Sequence, residues 1–286
     1  RAFVAMGLGL LTCFAGEQAR AETFVVTTTV SSGPAVELER AAVRIGQVVV
    51  FTLGDILAEA RLLLIEEGGT ALANRVRFGP DELREVLEIL DTGEGSGPLL
   101  ELADLMASVL AAMVHRALLR TEARRLELRP ATEAEVLEAF RELRARVPRR
   151  STLPVALEEA GFGRARSPSR PPPRLADVLR ADIEVERMIR FRRGPLDEIP
   201  AEEVEDCLSL RAEDLGVELQ AASAGLWRET VAAAMEEARL SRGLEELLKQ
   251  LSRRVEVVYA PPFRSRPLPE IPACPSPRDI RSVGSR

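Results

Sequence analysis

From Pro98 to Leu128, Leu102, Leu105, Met106, Val109, Leu110, Met113, Leu118 and Leu119 recur at short intervals, mostly the three or four positions that return side chains to one face of an α-helix. A stripe this long and broad predicts a central helix covered by several neighbours, because so much apolar surface has to be removed from water. Hydrophobic residues make up 46% of the 286 positions but aromatics only 4%. The core is therefore expected to be Leu/Ala/Val packing between helices, and the fold class mainly α.

Local signals supply the neighbours. Ala41 to Ile45 and Val48 to Phe51 are short β-prone runs around Gly46-Gln47, which predicts a hairpin. Thr52 and Asp55 form a capping pattern before Ile56, Leu57, Ala60, Leu63 and Leu64 at helical spacing, so a helix follows. Pro80-Asp81-Glu82 opens another, closed by Gly93 to Gly97. Pro130 ends the central helix, and Thr132 with Glu135 caps the next one, which runs to about Val147. A short helix is expected from Pro154 to Ala160, then a Gly/Arg/Ser/Pro loop to Pro173, and a helix from Arg174 to Phe191. Another starts at Pro200, and a long one spans Ala221 to Arg253. Val255 to Tyr259 alternates like a strand.

The two ends read differently. Residues 1–21 open on Arg1, followed by an apolar run from Ala2 to Ala15 and the small-x-small sequence Ala19-Arg20-Ala21, the pattern of a signal peptide. Its removal would leave no stable membrane span and two cysteines, Cys207 and Cys274, too few for a disulfide scaffold. Residues 22–38 are expected to be a linker. Residues 260–286 hold seven prolines and few large apolar groups, which predicts a disordered tail.

Several chemistries are excluded or disfavoured. Lys249 is the only lysine and sits mid-helix, so no P-loop is present. His115 is the only histidine, which removes His-rich metal sites; it is expected to be structural. Cys207 follows Glu202, Glu203, Glu205 and Asp206, whose potential disfavours a thiolate. The pairs Glu158-Glu159 and Glu245-Glu246 are expected to be solvated helix faces. Net charge is −6, so nucleic acid is not an expected partner. The arginines at 149–150, 164–174 and 187–193 are read as solvated faces and ion pairs. Neither catalytic residues, metal ligands nor a cofactor are expected.

The order of these features resembles the chaperone module of the SurA family, bacterial periplasmic chaperones for outer-membrane proteins. Val43 to Asp55 is similar to the family's strand–turn–strand–cap pattern. Leu118 to Leu128 followed by Ala131 to Val136 resembles its helix junction, Leu179 to Ile189 the helix before the isomerase insertion, and Ile199 to Val204 the helix after it. The asparagine usual at the hairpin turn is missing. Only 20 positions separate Cys207 from Trp227, too few for a parvulin isomerase domain. The resemblance implies one module over 39–259, in which the final strand pairs with the N-terminal hairpin. It implies a periplasmic, ATP-independent, non-enzymatic holdase for unfolded or nascent exported polypeptides, bound in an apolar groove lined by Leu105, Val109, Met113, Met188 and Phe191. Two alternatives stay open: an envelope scaffold with one defined partner, and a diverged peptidyl-prolyl isomerase relative without activity.

Overall fold

A computed structural model describes residues 38–47, 49–68, 80–147, 153–165, 167, 169–193, 199–216, 224–265 and 271–284. The expected signal peptide and most of the expected linker lie outside them. The fold is mainly helical with a small three-stranded antiparallel sheet. The chain forms two compact units: unit 1 contains residues up to Met188 together with Leu251–Pro267, and unit 2 contains Ile189–Gln250 with Leu268–Arg286. The stretch 39–259, expected to be one module, contributes to both units, and the boundaries between them fall inside two long helices.

Unit 1 begins with the predicted hairpin, β1 (Ala41–Ile45) and β2 (Val49–Thr52), which pair in antiparallel register Ile45↔Val49 and Arg44↔Val50. Gly46 makes the turn possible at φ 58°, a left-handed conformation costly for residues with a Cβ. A third strand, β3 (Val257–Tyr259), pairs with the other edge of β1, Val43↔Tyr259 and Ile45↔Val257. The order is β2–β1–β3, so the hairpin and the distant strand close one sheet, as the resemblance implied.

At the end of β2, the Thr52 hydroxyl accepts from the Asp55 N–H at 3.2 Å and the Asp55 carboxylate accepts from the Thr52 N–H at 2.9 Å. This reciprocal cap starts α1 (Leu53–Gly68). Thr52→Ala is expected to destabilise unit 1 by about 1 kcal/mol, read as a lower denaturation midpoint in the signal of Tyr259, the only tyrosine.

The helices α2 (Pro80–Thr92) and α3 (Pro98–Arg125) follow. By length and composition α3 could cross a membrane, but it packs against α1 and α2 and buries residues from Leu102 to Ala123. The predicted Thr132–Glu135 capping box is present at the start of α4 (Glu133–Arg146). α5 (Leu153–Leu157) continues into a π-type turn, Glu158–Phe162, where Gly161 adopts φ 99°. α6 (Pro173–Arg193) comes next. Leu62 and Ile65 of α1, Phe140 and Leu143 of α4, Leu153 of α5 and Leu175 of α6 share one buried cluster, which holds these elements together without aromatic stacking.

Unit 2 contains α7 (Ala201–Leu215), most of α8 (Ala224–Arg254) and α9 (Pro277–Gly284). Val204, Leu208 and Leu215 of α7 meet Val231, Ala234 and Met235 of α8 and Ile280 of α9 in one core. Cys207 and Cys274 are joined in a disulfide, with Cα atoms 5.4 Å apart, a normal spacing.

The tail expected to be disordered is therefore packed over its described residues. Ala260 donates its N–H to the Ala42 carbonyl at 2.9 Å, and Phe263 is buried in unit 1. In unit 2, Ser276 and Asp279 cap α9 reciprocally, Arg281 donates to the Asp214 carbonyl at 2.8 Å, and Ile280 is fully buried. Low apolar content counts for little when a crosslink and a capped turn place each apolar residue.

Candidate functional site

In unit 1, a cleft of about 320 Å³ is bordered by β2, α1, α3, α6 and Phe162 of the π turn. Its apolar lining includes Val49, Val50, Phe51, Met113 and Val178. Val50 is 49% exposed, so apolar surface is presented here rather than sealed. Successive side chains of a strand point to opposite faces of its sheet. Three consecutive β2 residues border the cleft and no described residue of β1 or β3 does, so it lies on the outer side of β2. Since β1 holds the inner edge, the cleft follows the outer one. Among the described residues no strand pairs there.

One wall carries Arg116, Arg120 and Arg124, four positions apart and so on a single face of α3. Their neutralisation falls off along the helix. Arg116 makes a two-pronged bond to Glu59, at 2.9 and 2.8 Å, and a 2.8 Å contact to Asp182. Burial would depress this guanidinium, but Asp182 and Glu59 more than reverse that and raise it. Arg120 is held by Glu184 at 2.5 Å. Arg124 is exposed and has no ion-pair partner among the described residues.

Across the cleft, Arg174 donates to the Gly161 carbonyl at 3.3 Å and lies 4.0 Å from Asp55. The acids of the lining are engaged: Asp55 accepts from Thr52, Glu59 from Arg116, and Asp177 from Arg180 at 2.6 Å. Desolvation pushes Asp182 up to about 6, against the pull of Arg116, although solvent reaches 45% of its side chain and screens the effect.

Of the expected groove residues, Leu105, Val109 and Met113 lie four positions apart on one face of α3. Val109, Met113 and Met188 are 3%, 1% and 0% exposed and serve as core packing in unit 1; of these Met113 borders the cleft. Leu105 is half-buried on α3. Phe191 is 59% exposed and belongs to unit 2. Helical spacing identifies a buried stripe, and a buried stripe is core before it is groove. The residues missed are those of β2 and the Arg116–Arg120–Arg124 series, whose four-residue spacing was the available signal.

His115 lies beside Arg116 on α3, and burial lowers its pKa to about 4. As the only histidine it gives a single imidazole signal, expected by NMR to stay neutral until about pH 4. Because the unfolded chain protonates its histidine near pH 6.5, the neutral folded imidazole costs stability as pH falls from about 6.5 toward 4. Unit 2 has a smaller hollow between Ile199, Glu203, Met235 and Arg239. Among the described residues no group of three or more His, Cys, Asp or Glu is placed to hold a metal. No protein-family model, curated protein or solved structure matches this chain.

Proposed function

We propose that this chain is an exported, ATP-independent holdase that binds unfolded polypeptides through the cleft of unit 1. The carrying observation is the cleft itself, an apolar surface beside a strand edge that pairs with no strand among the described residues. Exposed apolar surface beside a free edge is a hazard in a protein with no guest, and it provides what an extended chain needs, main-chain partners and apolar contacts. The closing of the hairpin by β3 supports the resemblance to SurA-type modules, and the disulfide fits an oxidising compartment such as the periplasm.

The test is aggregation of several unrelated unfolded proteins, without nucleotide, in the presence of the full chain. A holdase delays aggregation of all of them. Suppression of none would leave the scaffold reading and end this one.

A further inference from the structure

We infer that the cleft of unit 1 takes its guest as an added β-strand on the outer edge of β2, with an acidic side chain of the guest set against Arg124. The inference rests on the polypeptide-binding reading above and specifies its mode. Three observations carry it.

The first is where the cleft lies. Val49, Val50 and Phe51 border it and no described residue of β1 or β3 does, which places the cleft on the outer side of β2, where Val50 turns its N–H and C=O away from β1. β2 has four residues, roughly 13 Å at the usual rise per residue. That length suits a guest strand of about four residues, enough for a weak and reversible complex.

The second is the lining. Apolar side chains on both sides of the edge meet a guest whose own side chains alternate in direction. One set would face Val178 and Ala117, and the other would leave the cleft. The favoured guest is therefore an unfolded segment with apolar or β-branched residues at alternate positions.

The third is charge. Each acid of the lining already has a partner, and so do Arg116 and Arg120. Arg124 presents a guanidinium without an ion pair among the described residues. A carboxylate side chain flanking the guest's apolar run would complete the series, and an ammonium there would be repelled.

Short peptides of alternating Val and Thr, blocked at both ends and flanked by Glu or by Lys, test this by fluorescence anisotropy with the full chain. The Glu-flanked peptide is expected to bind about tenfold more tightly, with the difference shrinking in high salt, vanishing in Arg124→Gln and reversing in Arg124→Glu. Methylating backbone nitrogens at one alternate set of positions is expected to abolish binding, while methylating the other set leaves it. The amide of Val50 gains protection from hydrogen exchange, because Val49 and Phe51 turn their main-chain groups to Ile45 and Val43 of β1.

Equal binding by both methylated series, or by Glu- and Lys-flanked peptides, overturns the inference using the unaltered chain alone, so it does not depend on the variant folding. Suppressed aggregation without peptide binding overturns it and leaves the holdase reading intact. Strand-specific binding without suppressed aggregation supports it and removes the holdase reading.

Discussion

Replacing Cys207 and Cys274 together by serine is expected to destabilise unit 2 by about 4 kcal/mol, because the bond closes a segment of 67 positions and the lost constraint on the unfolded chain grows with the logarithm of that length. For a unit of this size the melting temperature falls by on the order of 20 °C. The effect can be localised. Trp227, the only tryptophan, packs on the core of unit 2, whereas Tyr259 lies in β3 of unit 1. Denaturation with and without reductant should shift the Trp227 transition and leave the Tyr259 transition in place. If both move together, the two units do not unfold independently. If neither moves, the crosslink does not hold α9 against α7.

The second large effect is at Arg116. Its side chain is 20% exposed and that of Glu59 12%, so Arg116→Met leaves a carboxylate mostly cut off from water with no countercharge. The expected loss is about 3 kcal/mol, read from the Tyr259 transition. Asp182, more exposed and already raised toward neutrality, absorbs the change by binding a proton. Adding Glu59→Gln is expected to restore most of the stability, since the penalty lies in the orphaned charge rather than in the missing bond. A double variant as unstable as the single one would mean that Arg116 matters through the packing of its stem.

The local rules proved readable where a few adjacent residues settle the outcome. Thr52 with Asp55 and Thr132 with Glu135 each fix a boundary through bonds reaching three positions, and Gly46 in its turn and Pro98 at the head of α3 do so through their own backbone dihedrals. What escaped depends on distant partners. Glu59, Asp182 and Glu184 engage the α3 arginines from other helices, and no spacing announces them. Cys207 and Cys274 formed no pattern because one bond between two cysteines needs only geometry. The proline-rich tail was misjudged by averaging its composition, although Ser276-Pro277-Arg278-Asp279 is a helix start of the same kind as Thr132 to Glu135. For the expected groove residues period was legible but burial was not: it places Val109, Met113 and Met188 in the core and leaves Phe191 exposed.

The sheet that joins the hairpin to β3 also sets a schedule. Arg40 donates to the carbonyl of Pro261, 221 positions away, and β1 has one edge without a neighbour until that stretch has been synthesised. Unit 1 cannot be completed by a nascent chain whose α8 and β3 are still unmade. Closing a loop of such length also slows folding after release. During that interval the β3 side of β1 stands open to other strands, so this protein has to pass through a sticky stage of its own before it can reach its finished form.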